Sequence, residues 1–222
     1  MRLALFDLDH TLIPLDSDYA WGEFTVALGW RDAHRFSEAN DGFYADYKAG
    51  TLDIHRYVRF ATDAVREHGL AASMKAHERF MREVIEPAMR EPARALLRRH
   101  QAAGDTVVIV TATNEFVTRP IAQAFGVNEL IAIELERDAR GEPTGAIRGT
   151  PSFREGKIAR VEQWLAARGL DWSRVQHSTF YSDSINDLPL LEKVHEPVAT
   201  NPDARLRAIA LERGWRTLNL FE

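Results

Sequence analysis

The sequence predicts an α/β fold, a parallel sheet covered by helices on both faces, with a helical block inserted near its start. Three observations carry this prediction. Short apolar runs recur along the chain, and each stops abruptly at a small polar or acidic residue. Helical patterns closed by glycine lie before and after these runs. One long stretch behind the first run shows no strand pattern at all. Strands alternating with helices favour a parallel sheet buried on both faces.

Each element has its own local reason. Residues 3–6 (Leu-Ala-Leu-Phe) are continuously apolar rather than alternating, which fits a buried strand ending at Asp7. Residues from about Leu15 to Pro87 read as helices rich in aromatics, among them Tyr19, Trp21, Phe24, Tyr44 and Tyr57. Residues 92–103 read as a helix closed by Gly104. Residues 106–110 are β-branched and predict a second strand, ending at Thr111. Asn114 is placed to cap the next helix, residues 115–125, closed by Gly126. Pro120 predicts a kink or a late start there. Apolar residues flank Asp138-Ala139-Arg140-Gly141-Glu142, so residues 131–148 predict a β-hairpin. Residues 156–168 read as a helix closed by Gly169, and residues 178–182 as a third strand ending at Asp183.

The bulk numbers set limits. At 222 residues the chain can bury a full core. Its net charge of -5 argues against a nucleic-acid partner, because a phosphate backbone demands a basic face. There is no cysteine, which removes disulfides and thiolate metal sites and fits an intracellular setting. No apolar stretch is long enough to span a membrane, and Asp7 interrupts the first run too early for a signal peptide. The expectation is a cytoplasmic protein without membrane contact.

The chemistry gathers at the ends of the apolar runs. Asp7 and Asp9 are two apart in an extended segment, so both carboxylates face one side. Two such acids can divide the work of nucleophile and general acid/base, and their mutual repulsion pushes their pKa values apart. A solvated Asx turn is the competing reading of the pair taken alone. Thr111 can donate to a phosphate oxygen, or serve simply as a satisfied threonine at a strand end. Lys157 can balance a phosphate and a neighbouring carboxylate, or lie in solvent as most lysines do. Asp183-Ser184-Ile185-Asn186-Asp187 is a second acidic cluster behind a strand, of the oxygen-rich kind that suits magnesium. Helix capping explains one or two of its acids but not the repeated pattern of strand followed by acid.

Taken together these segments resemble the four motifs of the haloacid dehalogenase-like phosphatases. Asp7-Leu8-Asp9-His10-Thr11 is similar to the first, residues 107–111 to the second, Lys157 to the third, and residues 183–187 to the fourth, in family order. The phosphoserine phosphatase-like branch is the nearest in pattern. Residues 111–118 and 214–221 look typical of a set within it that has been linked to histidinol phosphate.

The resemblance implies a three-layer Rossmann-like core, residues 1–14 and 88–222, with a helical cap at residues 15–87. It implies that Asp7 attacks phosphorus to form an aspartyl-phosphate, and that Asp9 protonates the leaving alcohol and later activates water. Magnesium is implied at the Asp7 carboxylate, the Asp9 main-chain carbonyl and Asp183. Asp187 would support the metal through water, Asn186 would orient the phosphate site, and Thr111 and Lys157 would bind the phosphoryl group.

The cap is expected to select the substrate and to swing about linkers near Pro14 and Pro87. Asp16, with help from Asp18, falls where the branch binds an amine, and Arg59 where it binds a carboxylate. His10 replaces a small residue of the first motif and is read as a packing or hydrogen-bonding residue. Ala112-Thr113 replaces a glycine pair of the second motif, and Ser182 and Ser184 replace glycines of the fourth. The leading expectation is a magnesium-dependent phosphomonoesterase for a small metabolite, phosphoserine or histidinol phosphate. A phosphotransferase to an acceptor alcohol and a non-catalytic binding module on the same fold are the alternatives.

Overall fold

The protein is described by a computed structural model covering residues 1–221. The chain begins with β1 (Arg2–Phe6) and then enters an all-helical insertion. The insertion comprises α1 (Ser17–Ala27), α2 (Ala33–Ala49), α3 (Ile54–Ala61), α4 (Asp63–His68), α5 (Leu70–Phe80), a π-helical turn (Met81–Ile85) and α6 (Glu86–Ala88). The chain returns through α7 (Glu91–Ala102), β2 (Thr106–Asn114), α8 (Glu115–Ala124) and β3 (Glu129–Ile133). A small antiparallel hairpin, β4 (Leu135–Arg137) and β5 (Pro143–Ile147), precedes α9 (Glu155–Ala166). The fold closes with β6 (His177–Ser182), α10 (Leu188–Lys193), β7 (Glu196–Thr200), α11 (Ala204–Glu212) and β8 (Arg216–Leu218).

The six-stranded sheet is parallel throughout, in the order β3-β2-β1-β6-β7-β8. From β1 the chain first builds outward through β2 and β3, then returns to β1's other side with β6. The C-terminal ends of β1 and β6 therefore flank a topological switch point, where open α/β sheets bind ligands.

Strand alternation divides the core in two. Ala4, Phe6, Val107, Ile109, Tyr181 and Val198 face one layer, with Leu96, Leu97 and Ile121 of α7 and α8. Leu3, Leu5, Val108, Val110, Phe180 and Ala199 face the other, with Val161, Leu165, Leu190 and Leu206 of α9 to α11. Both faces are dry, which is why the strands read as apolar runs.

Several expectations need adjusting. β2 runs on through Thr111 to Asn114, with a register shift against β3 between Val110 and Asn114. Residues 131–133, expected in the hairpin, belong to β3 of the main sheet, and the hairpin starts at Leu135. α8 is a single helix with Pro120 inside it, and Asn114 caps it by accepting from the N–H groups of Phe116 and Val117.

Parts of the insertion pack directly on the core. Trp21 and Phe24 of α1 and Phe80 of α5 lie in the same apolar cluster as β1. Val58 of α3 packs with Ile133 and Leu135. Over its 17 residues α2 buries only Phe36. Among the described residues no helix is long and apolar enough to cross a membrane.

Candidate active site

Asp7 extends β1 by one residue, its N–H donating to the Tyr181 carbonyl at 2.9 Å. The chain then curls sharply. The Leu8 carbonyl accepts from the N–H groups of Thr11, Leu12 and Ile13, and His10 adopts φ 56°, a left-handed value unusual outside glycine. His10 is exposed at the cavity rim, its carbonyl accepting from Asn201 Nδ2 at 2.9 Å. The curl places Asp7 and Asp9 on the wall of a cavity of about 810 Å³.

Lys157 reaches Asp7 from α9. Its Nζ donates to Asp7 Oδ1 at 2.7 Å and to Asp187 Oδ2 at 2.6 Å, and the side chain is 1% exposed. Gly156 makes this position possible, since a Cβ there would lie 2.1 Å from the Pro151 carbonyl oxygen. Burial alone would lower the lysine's pKa. The charges of Asp187 and Asp7 outweigh it and hold the ammonium above its usual value. Asp187, also bonded by the Ser182 hydroxyl at 2.7 Å, is raised by burial to about 6 against the pull of Lys157. Its direct partner is the lysine, a link the sequence did not disclose.

Thr11 Oγ1 lies 3.2 Å from Asp7 Oδ2 and 3.1 Å from Asp183 Oδ1, so one hydroxyl spans the two carboxylates. Burial, then the charges of Asp7 and Asp187, push Asp183 well above the carboxylate range. Asp7 is raised too, by burial, with Lys157 opposing. The pocket is thus short of positive charge on its Asp183 side. Among the described residues no three His, Cys, Asp or Glu side chains converge as a metal site. Two carboxylates and a main-chain carbonyl nonetheless fit magnesium, which takes one or two carboxylates and keeps several waters.

Asp9 is held separately. The Ser17 N–H donates to its Oδ1 at 2.9 Å and the Thr113 hydroxyl to its Oδ2 at 2.7 Å. Burial, then the charge of Asp16, raises its pKa to about 6. Thr111 is buried on the cavity wall, its Oγ1 accepting from the Thr113 N–H at 3.1 Å. Asn186 lines the same wall, its Oδ1 facing the Arg154 guanidinium at 3.3 Å.

On the insertion side the cavity is walled by Tyr19, Phe43, Tyr44 and Tyr57, with Asp16 and Asp41. Asp16 lies on the wall while also capping α1. Asp18 does not line the cavity; it is buried and accepts from Asn114 Nδ2 at 2.8 Å. Arg59 does not line it either, and lies exposed on α3, so the expected carboxylate contact has no basis in this arrangement. Residues the sequence reasoning missed are Thr113, Ser17, Tyr47 and Ser184, the last two joined by a 2.8 Å hydrogen bond. Their signal is tertiary, except that Thr113 and Ser184 are visible in the sequence as departures from family glycines.

The family model of the haloacid dehalogenase-like hydrolases matches residues 4–192. A histidinol-phosphatase from Neisseria meningitidis serogroup C (strain 8013) is 44% identical over 218 residues, covering 98% of each chain. A solved protein from Bordetella pertussis Tohama I is 49% identical with TM-score 0.93, covering 99% of each chain. A substrate-bound phosphoserine phosphatase shares the fold at TM-score 0.68 and 18% identity, covering 98% of this chain and 92% of the other. The chain belongs to the haloacid dehalogenase-like hydrolases, and within that family it is a phosphatase.

Proposed function

We propose that the protein is a magnesium-dependent phosphomonoesterase that works through an aspartyl-phosphate on Asp7, and that its substrate is histidinol phosphate or a close amino-alcohol ester. The observation that carries the catalytic reading is the pairing of buried Lys157 with Asp7 beside Asp183. Phosphoryl transfer needs charge neutralisation and in-line positioning above all. Lys157 balances the nucleophile and the incoming phosphoryl oxygens, and Thr111 donates its hydroxyl to them. Asp7, Asp183 and the Asp9 carbonyl would hold magnesium, which would supply the remaining positive charge when bound. Asp9 gives a proton to the departing alcohol and takes one from the attacking water.

The substrate reading rests on the insertion side of the cavity and on the Neisseria relative. Aromatic walls with Asp16 and Asp41 suit a flat, cationic alcohol. Two cations line that side as well, Lys48 over the Tyr44 ring at 4.1 Å and Arg205 donating to the Lys48 carbonyl at 3.2 Å. With Arg59 outside the cavity, the arginine expected to bind a substrate carboxylate is not at hand. Phosphate release with magnesium, compared between histidinol phosphate and phosphoserine, tests this. The expected kcat/KM ratio favours histidinol phosphate by about tenfold or more, ~1.4 kcal/mol. A ratio favouring phosphoserine overturns the substrate reading.

A further inference from the structure

We infer that Thr113 is a positioning residue that fixes which oxygen of Asp9 exchanges the proton, and which way that oxygen points. The inference rests on the phosphatase reading above and goes beyond it. The two Asp9 oxygens are held by chemically different partners. Oδ1 accepts from the Ser17 N–H at 2.9 Å. A backbone N–H can only donate, so Oδ1 stays an acceptor in both charge states and the proton belongs on Oδ2. Oδ2 accepts from the Thr113 hydroxyl at 2.7 Å. A hydroxyl both donates and accepts, so Thr113 serves the carboxylate and the carboxylic acid alike. It fixes direction without fixing charge.

The two anchors come from different parts of the fold. Ser17 opens α1 in the insertion, and Thr113 lies in the extension of β2 beyond the expected strand end. Thr113 is 6% exposed and lines the same cavity as Asp7 and Asp9. Its own N–H donates to Thr111 Oγ1 at 3.1 Å, which ties its backbone to the wall where the phosphoryl group is placed.

As the bond from Asp7 to phosphorus forms, the bond from phosphorus to the alcohol oxygen breaks, and the proton on Asp9 Oδ2 moves to that oxygen. Water then loses a proton to Oδ2 as its oxygen bonds to phosphorus, and the Asp7–phosphorus bond breaks to release phosphate. A carboxyl free to rotate would point Oδ2 elsewhere for part of the time. That loss falls only on steps that need the proton.

Esters of different leaving ability separate this role from a structural one. An alkyl phosphate such as histidinol phosphate needs the acid, whereas p-nitrophenyl phosphate has a leaving group stable without a proton. Thr113→Val is expected to lower kcat on histidinol phosphate by about tenfold or more, part of the hundredfold or larger worth of a general acid. On p-nitrophenyl phosphate the same variant should release a rapid burst of nitrophenol and then turn over slowly, because only the water step still needs Asp9. Thr113→Ser, which keeps the hydroxyl, should recover most of the loss.

Equal loss on the alkyl ester and in the nitrophenol burst overturns the inference, as does no loss on either ester, or a serine variant as slow as the valine one. Should the valine protein melt below the wild type, Thr113→Ala, which adds no bulk, carries the same comparison. A wild-type protein that hydrolyses neither ester removes the phosphatase reading itself, so the two failures are distinguishable.

Discussion

Lys157 Nζ sits between Asp7 Oδ1 and Asp187 Oδ2, at 2.7 and 2.6 Å, and joins the end of β1 to the turn behind β6 through one buried ammonium. Breaking a buried ion pair from one side leaves uncompensated charge, and here two acids would be left. Lys157→Met is expected to lower kcat by about a hundredfold or more, the scale of losing one preorganised donor. It should also cost about 3 kcal/mol of stability in denaturant titration. A variant that keeps wild-type turnover would remove the lysine from the chemistry.

The Asp183 side of the pocket should depend on magnesium. Binding to the native state alone raises its stability. Magnesium is therefore expected to raise the melting temperature of the wild type, and Asp183→Asn to abolish most of that shift. The readout is thermal, so it does not depend on turnover. A full shift in the variant would place the ion elsewhere.

His77 sets an acid limit on stability. It is buried against Trp21, Phe80 and Phe116, and its Nε2 donates to the Val117 carbonyl at 3.0 Å. Burial pushes its pKa down to about 4. The folded state therefore binds the proton less readily than the unfolded chain does. Its contribution is intact above the unfolded value and is lost as pH falls toward the folded one. Between about pH 7 and about pH 5 this site alone should remove about 2 kcal/mol. Urea titrations of wild type and His77→Gln at both pH values check it, and the variant should lose less on acidification.

α2 is expected to be the moving part of the insertion. Its anchor is Phe36, seated on Gly22, where a Cβ would fall 2.2 Å from the Phe36 ring. Its far end reaches the core through Tyr47, bonded to the Ser184 hydroxyl and facing the Phe153 ring at 6.3 Å. Tyr47→Phe removes one hydrogen bond, worth about 1 kcal/mol, and should speed amide exchange across α2 by about fivefold. Exchange in β1 and β2 should be unaffected. Equal acceleration in α2 and the sheet would mean that α2 opens only with global unfolding.

Much of this was legible in the sequence because its central strands are dry on both faces. β1, β2 and β6 announce themselves as apolar runs, and Asp7, Asp9 and Asp183 stand where those runs stop. β7 and β8 were missed for the opposite reason. β7 carries Glu196 and Pro197, and β8 is an edge strand of Arg216, Thr217 and Leu218 with only Leu218 partly covered. β3 was absorbed into the hairpin because its apolar residues run almost directly into Leu135. In the site, motif spacing reached the acids and Lys157. It could not reach the Lys157–Asp187 bond, the Thr113 hydroxyl or Tyr47, whose partners lie far away in the chain. Arg59 shows the reverse limit: spacing placed it near the substrate, and the turn of α3 carries it outward.

The central claim is that Asp7 is the nucleophile and Asp9 the proton carrier. Its most direct test is Asp9→Asn protein mixed with p-nitrophenyl phosphate and magnesium, quenched in acid, digested and read by mass spectrometry. The expected result is one phosphoryl group on the peptide bearing Asp7, accumulating because its hydrolysis lacks a base, and its absence in the Asp7→Asn, Asp9→Asn double variant. A phosphoryl group on another residue, or undiminished phosphate release from Asp7→Asn alone, would contradict it.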